Sequence, residues 1–113
     1  MSAKQFKHVL DGYKVLDFTQ FLAGPTVGRM MAEMGAEIIK VEMAPNGDYS
    51  RLLPFIRDGR SAYYVQQNRG KKSICVDLKH PAGLAIAKEL IPKMDVVVEN
   101  FRARSDRAAG TRL

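Results

Sequence analysis

The sequence predicts an α/β fold in which helices cover both faces of a mostly parallel sheet. Apolar runs of strand length alternate along the chain with segments of helical periodicity. The first strand, helix and strand together span about 30 residues, the length of a βαβ unit with parallel strands. Near the end, three consecutive valines at 96–98 form an uninterrupted apolar run, which is typical of a strand buried on both faces.

The first strand, helix and strand have clear boundaries in the sequence. Strands are predicted over residues 13–19 and 37–42. The helix between them is expected to begin close to Pro25, which suits a first helical position, and to end at Gly35. Apolar side chains at i, i+3, i+4 and i+7 spacing should pack this helix on the core. They are Val27, Met30, Met31 and Met34.

The middle of the chain is irregular before a third strand begins. Proline, glycine and asparagine punctuate residues 43–60, which favours a long loop of the kind that covers a site. A short helix is predicted over residues 61–68, with Ser61 as its cap. Residues 69–72 are expected to form a basic turn, and residues 73–78 an alternating strand.

The last helix and strand complete the order. The helix is predicted to open at His80-Pro81, with His80 as its start residue, and to end near residues 92–94. One face of it should be buried through Leu84, Ala87, Leu90 and Ile91. The last strand is predicted over residues 95–101.

Composition limits the classes of protein that the sequence can encode. A length of 113 residues, of which 46% are apolar, fits one globular domain. The single cysteine, Cys75, excludes an internal disulfide framework and is expected to be a small buried residue. There is neither an apolar run of about 18 residues nor a secretory leader. We therefore expect a soluble, cytoplasmic protein.

The positive charge is unevenly distributed. The formal net charge is +6, and residues 101–113 contribute half of it through four arginines and one aspartate. A basic protein can attract nucleic acid or another anionic ligand. Because half of the excess lies in a short terminal segment, the sequence gives little support to nucleic-acid binding by the domain itself.

Ligand contacts are expected where the strands end. If the strands run parallel, the segments 19–25, 42–47, 77–81 and 100–102 line one edge of the sheet. The helix that starts near Gly24-Pro25 offers N–H groups to an anion there, although a structural turn explains the same residues.

The residues at this edge match none of the common catalytic or phosphate-binding motifs. The sequence has no dinucleotide fingerprint, complete P-loop or nucleophile elbow, and its two histidines lack neighbours at metal-ligand spacing. Asp17 lies among apolar residues of the first strand, where a carboxylate needs a partner. We interpret it as a structural hydrogen-bond acceptor rather than a catalytic group.

A series of segments, taken in order from Leu10 to Arg102, is similar to the opening of the family III CoA-transferases. These segments are LDGxxVLD at 10–17, AGP at 23–25, GAEIIKVE at 35–42, GD at 47–48, NRGKKS at 68–73, DLK at 77–79 and DVVVENFR at 95–102. The family includes formyl-CoA transferase, carnitine CoA-transferase and α-methylacyl-CoA racemase. Each segment alone is unspecific, whereas the ordered combination is highly specific.

The resemblance implies a Rossmann-like large domain that binds coenzyme A, within an interlocked homodimer that uses acyl-CoA and a carboxylic acid and needs no metal. It also implies ten coenzyme A contacts, which follow the strands. They are Leu22, Ala23, Met43, Val76, Asp77, Leu78, Lys79, Asn100, Phe101 and Arg102. The charges of Lys79 and Arg102 suit the phosphates of the cofactor, with Lys71 and Lys72 adding to the field.

The chain departs from the family pattern at three places. Met43 stands where many members have arginine, and Leu22 stands where formyl-CoA transferases have glutamine, so a formyl-CoA and oxalate specificity does not follow. After residue 102 the family's proline- and glycine-containing continuation is replaced by an arginine- and alanine-rich segment. We expect a coenzyme-A-binding region over residues 1–102 and an aberrant or disordered basic tail over 103–113.

The family's catalytic aspartate corresponds to a position beyond residue 113, so the resemblance implies no catalytic residue in this chain. We interpret the chain as a truncated or frame-shifted product, which an intact reading frame ending here would contradict. Three alternatives remain open: a racemase of the same family, a non-catalytic basic binding protein, and an inactive remnant.

We predict that the 113-residue chain alone turns over no acyl-CoA in the presence of an acceptor acid, because the group that attacks the thioester is missing. Chromatographic quantification of the product acyl-CoA measures this. Turnover above a protein-free reaction would contradict the prediction.

Overall fold

The computed structural model describes residues 7–100 of the chain. Its strands are β1 (Lys14–Asp17), β2 (Glu37–Met43), β3 (Ile56–Arg57), β4 (Arg60–Ser61), β5 (Lys71–Val76) and β6 (Val96–Val98). Its α-helices are α1 (Ala23–Glu33), α2 (Ala62–Asn68) and α3 (Pro81–Leu90), and 3-10 turns occupy Tyr49–Leu52 and Ile91–Lys93.

Four of these strands form one parallel sheet, in the order β5-β2-β1-β6. The chain builds outward from β1 through β2 to β5, and α3 then returns it to the opposite side of β1. The strand order therefore reverses between β1 and β6, which is where open α/β sheets bind ligands. The predicted α/β class is confirmed. The loop predicted over residues 43–60 contains the first 3-10 turn and the small antiparallel hairpin β3-β4.

Helices lie on both faces of the sheet because successive strand residues point to opposite sides. On one face, Leu16 and Val41 pack with Ala87 of α3. On the other face, Val15 and Ile38 pack with Met31 of α1. The core is thus divided into two apolar layers, one under each helical face.

Helix α1 packs through residues other than those the sequence indicated. It begins at Ala23, two residues before Pro25, and its fully buried residues are Gly24, Pro25 and Gly28. The prediction of a buried stripe is wrong for three of its four members, since Val27, Met30 and Met34 are 45%, 47% and 43% exposed.

Close approach of α1 to the sheet explains this difference. A Cβ atom on Gly28 would lie 2.7 Å from Asp17 Oδ2, and one on Gly24 would collide with the Thr19 side chain. The helix backbone rests directly on the strand ends, so no larger side chain fits between them. The apolar stripe turns away from the sheet as a consequence.

Two predictions about β5 are also wrong. The basic turn at 69–72 is shorter than expected, because Lys71 and Lys72 are the first residues of the strand. Cys75 is exposed rather than buried. Among the described residues β5 is paired on one side only, so this edge strand receives less cover than the central strands.

The predictions for α3, β6 and α2 are only partly confirmed. His80 caps α3 as predicted, its Nδ1 accepting the Ala82 N–H at 3.1 Å. Strand β6 comprises only Val96–Val98, and its valines are half-buried rather than covered on both faces. Ser61 occupies the N-cap position of α2 without a side-chain capping bond.

The face of the sheet under α1 changes from apolar to ionic towards the carboxyl ends of the strands. There Asp17, Lys40 and Glu42 are buried at 0%, 0% and 3% exposure. Asp17 Oδ2 lies 2.7 Å from Lys71 Nζ, so the partner expected for this carboxylate is a lysine of β5. Lys71 is therefore a buried partner of Asp17 rather than part of the basic turn that the sequence suggested.

We predict that Lys71→Met lowers the free energy of unfolding by about 3 kcal/mol, because it leaves the Asp17 carboxylate buried without its cation. Denaturant unfolding followed by circular dichroism measures the loss. The matched control is Lys72→Met, since Lys72 is 73% exposed and 3.7 Å from Glu37, and it should change stability by less than about 0.5 kcal/mol. Equal effects of the two substitutions would contradict the prediction.

Candidate functional site

The loops that follow the four parallel strands meet at one edge of the sheet in two neighbouring pairs. The Ala44 N–H donates to the Val76 carbonyl at 3.0 Å, which joins the loops after β2 and β5. The Asn100 side chain accepts the Gln20 N–H at 3.1 Å and donates to the Gln20 carbonyl at 3.0 Å, which joins the loops after β6 and β1. The second pair lies at the point where the strand order reverses.

The loop after β1 presents Leu22 and Ala23 to solvent. Leu22 is the N-cap residue of α1 and is 52% exposed. Its side chain has no oxygen to cap the helix, and no side-chain capping bond forms at this helix end. Phe21, just before it, has a φ of +67° and stacks on Tyr49 with the ring centroids 5.5 Å apart.

Three of the predicted contacts contribute their side chains to the core. Leu78 is 2% exposed and belongs to the apolar layer under α3, against which Met43 and Val76 also pack. Their side chains stabilise the edge from beneath.

Asp77 and Lys79 form the turn from β5 into α3. Asp77 Oδ1 accepts the Lys79 N–H at 2.9 Å, and the Asp77 carbonyl accepts the His80 N–H at 3.0 Å. This side-chain turn is typical of aspartate and leaves the Lys79 side chain exposed. Lys79 is therefore suited to meet an anion at the edge.

The last group of predicted contacts is only partly described. Asn100 uses both its amide oxygen and its amide nitrogen on Gln20, so it ties two loops together. Phe101 and Arg102, like the segment 103–113, lie outside the described residues. All ten predicted contacts stay predictions.

A hydrogen-bond network centred on Glu42 lies beneath the loop after β2. Arg51 donates to both oxygens of Glu42 at 2.7 Å, and Tyr64 Oη donates to Oε2 at 2.7 Å. The Asp48 N–H donates to Oε1 at 2.8 Å, and Ser73 Oγ also contacts Oε2. The sequence did not indicate this network, because its members are separated by up to 31 residues.

The network shifts the titration of its members. Burial raises the pKa of Glu42, but the hydrogen bonds from Arg51 and the other donors outweigh it and hold that pKa far below its usual range. Burial and the Glu42 hydrogen bond raise the pKa of Tyr64. The bond to Glu42 also raises the pKa of Arg51, so all three groups keep one charge state at neutral pH.

Two cavities of the described chain lie near the hairpin β3-β4. An open groove of about 510 Å³ separates β3-β4 from α2, and its walls include Phe55, Arg57, Arg60 and Arg69. A second cavity of about 220 Å³ lies between Arg51, Arg60 and Tyr64. Neither is lined by a predicted coenzyme A contact.

Two negative findings apply to residues 7–100. They contain no group of three or more histidine, cysteine, aspartate or glutamate side chains placed to hold a metal ion. No helix within them has the length and apolar character needed to cross a membrane.

Comparison with known proteins identifies the family of the chain. The family model described as CoA-transferase family III matches residues 10–112. The chain belongs to CoA-transferase family III. The resemblance drawn from the sequence is thereby confirmed.

Curated members of CoA-transferase family III are similar to the chain over most of its length. It is 46% identical over 103 residues to a succinate–glutarate CoA-transferase of Agrobacterium fabrum, covering 85% of this chain and 26% of the relative. It is 47% identical over 94 residues to the human succinyl-CoA:glutarate CoA-transferase, covering 81% and 21%. The chain thus spans about a quarter of the length of the curated relatives it matches.

The fold also agrees with solved structures of similar proteins. A crystal structure of a CaiB/BaiF family protein from Brucella suis superimposes with a TM-score of 0.86 at 39% identity, covering 94% of this chain and 29% of that one. A Mycobacterium tuberculosis protein superimposes with a TM-score of 0.83, also at 39% identity, over 94% and 29%.

We predict that Glu42→Gln lowers the free energy of unfolding by about 2 kcal/mol at pH 7, because it replaces a charged acceptor of several hydrogen bonds. The folded pKa of Glu42 lies below its ordinary value of 4.5, so the carboxylate stabilises the fold above that pH. As the pH falls further, the unfolded chain binds a proton that the folded chain does not, and this stabilisation is lost.

The difference in stability between wild type and Glu42→Gln should therefore shrink as the pH is lowered from 7 to about 3. Urea unfolding at each pH measures it. Glu89→Gln, an exposed substitution on α3, provides the control and should show little pH dependence. A difference in unfolding free energy between wild type and Glu42→Gln that stays constant with pH would contradict the role assigned to Glu42.

Proposed function

We propose that this chain provides the coenzyme-A-binding region of a CoA-transferase, an enzyme that moves coenzyme A from an acyl-CoA to a carboxylic acid. The observation that supports this most strongly is the family match over residues 10–112. The edge of the sheet adds physical support, because four parallel strands bring their carboxyl ends together there.

In this proposal the cofactor lies across the two pairs of loops. Leu22, Ala23 and Asn100 contact it at the reversal of strand order, and the segment from Val76 to Lys79 contacts it next to Met43. The exposed ammonium group of Lys79 meets a phosphate of coenzyme A, and Arg102 meets another. Backbone groups supply the remaining contacts where the side chains are buried.

The reaction that we propose uses an aspartate outside this chain. That aspartate attacks the thioester carbonyl, the carbon–sulfur bond breaks, and an acyl anhydride forms while coenzyme A leaves as the thiolate. The buried carboxylates of the edge are unsuited to this step. Asp17, Glu42 and Asp48 are at most 3% exposed, and each is already paired with a cation.

Transfer is favoured over racemisation by the names of the two curated relatives described above, both of which are CoA-transferases. We also propose a cytoplasmic homodimer that acts on acyl-CoA and a carboxylic acid without a metal. The exposed apolar side chains of α1, Val27, Met30 and Met34, support an interface on that helix.

We predict that the chain binds free coenzyme A and that Lys79→Ala weakens binding about tenfold, the loss expected for one charge-assisted phosphate contact. Isothermal titration calorimetry at low and high salt measures it, and the difference between wild type and variant should narrow at high salt.

The matched control is Lys88→Ala, which removes the same charge. Lys88 is exposed in the last turn of α3, at the far end of the helix from the strand edge. It should leave the affinity within about twofold of wild type. The proposed function fails if folded wild-type chain gives no heat with coenzyme A or with succinyl-CoA.

A further inference from the structure

A buried ion pair connects the sheet to the loop after β2. Lys40 projects from β2, and its Nζ lies 2.9 Å from Asp48 Oδ2. The two side chains are 1% and 0% exposed. Neither group can touch a ligand at the surface, so any role in binding must act through other residues.

The same two side chains hold both loops of the candidate site. Lys40 Nζ donates to the Thr19 carbonyl at 2.7 Å. Asp48 Oδ1 accepts the Phe21 N–H at 3.3 Å and the Ser50 N–H at 2.9 Å. One ion pair thus connects the loop after β1, at 19–21, with the loop after β2, at 48–50.

The bond to Phe21 holds an unfavourable backbone conformation. Phe21 has a φ of +67°, in the left-handed region that residues other than glycine rarely adopt. Such a conformation persists only when surrounding contacts enforce it. Asp48 and the stacked ring of Tyr49 provide those contacts, and Leu22 is the next residue along the chain.

The Asp48 carboxylate is itself well positioned. Its backbone N–H donates to Glu42 Oε1 at 2.8 Å, and the Gly47 N–H donates to the Met43 carbonyl at 2.8 Å. The end of β2 therefore determines where the carboxylate lies. Through Phe21, the carboxylate in turn determines the direction in which Leu22 and Ala23 leave the sheet.

We propose that Asp48 and Lys40 are positioning residues for coenzyme A, which fix the Leu22–Ala23 segment relative to the loop after β2 before the cofactor arrives. This inference rests on the proposed function of the edge. The expected gain is preorganisation, since a loop already held in its bound shape loses less entropy on binding.

The test compares Asp48→Ala with a core substitution that destabilises the fold elsewhere. Val15→Ala is the control, because Val15 is fully buried in the apolar layer under α1 and pairs within the sheet with Ile38 and Val96. Both variants and wild type are measured at a temperature where unfolding curves show each to be folded. Calorimetry gives the affinity for free coenzyme A, and amide hydrogen exchange reports on the loops.

We expect Asp48→Ala to bind coenzyme A about tenfold or more weakly than Val15→Ala. Exchange of the Phe21 and Ser50 amides should accelerate about tenfold in Asp48→Ala relative to Val15→Ala, while amides of α3 exchange alike in the two variants. A merely structural role for Asp48 would change stability without this local difference.

If Asp48→Ala does not fold, Asp48→Asn replaces it in the test. The asparagine retains an acceptor for the Phe21 and Ser50 N–H groups and loses only the ion pair with Lys40. It should weaken binding about threefold relative to Val15→Ala. Affinity equal to that of Val15→Ala would overturn the positioning role and leave the proposed function intact. Wild-type chain that does not bind coenzyme A would overturn both.

Discussion

A layer of buried charge at the carboxyl end of the sheet is the constraint on which the rest of the structure depends. Three buried carboxylates are paired with cations, as Asp17–Lys71, Lys40–Asp48 and Glu42–Arg51. The two lysines are buried as well, whereas the Arg51 side chain is 44% exposed. Removing such charges from water is costly, and the cost is offset only when each group finds a partner with good geometry. The layer therefore specifies which strand lies beside which, and where the loop after β2 must return to the sheet.

The pairs also determine how the helical face is built. Because Gly28 lies over the Asp17–Lys71 pair, α1 approaches the sheet more closely than an ordinary helix could. Lys71 Nζ donates to the Pro25 carbonyl at 3.0 Å and to Asn68 Oδ1 at 2.9 Å, so the same cation holds both α1 and α2. The start of α1 is thereby fixed at the edge where we propose that coenzyme A binds.

The sequence was sufficient for the order of the four parallel strands and the three helices and for the cap at His80, since these depend on local periodicity and turn residues. It did not indicate the hairpin β3-β4. It did indicate that Asp17 needs a partner. It could not identify that partner, because Lys71 lies 54 positions away and looks like part of an exposed basic turn.

The methionine stripe of α1 led to a wrong prediction for a related reason. Periodicity shows that a helix has an apolar face, whereas the closeness of Gly24 and Gly28 to the sheet decides which face is buried. The position of the candidate site at the strand ends could be predicted from the topology. The side-chain contacts of Glu42 and Asp48 could not, because their partners are distant in sequence.

Within residues 7–100, β5 pairs with another strand on one side only, and this has a further consequence for self-association. An unpaired strand edge can recruit a strand from another molecule and begin intermolecular sheet growth. In β5 the outward-facing Lys72 is 73% exposed, while its neighbour Lys71 points inward to Asp17. A charged lysine on an edge strand disfavours pairing with a strand of another molecule. The alternation of one buried and one solvated lysine thus lets the same short strand neutralise an internal carboxylate and discourage edge-to-edge polymerisation.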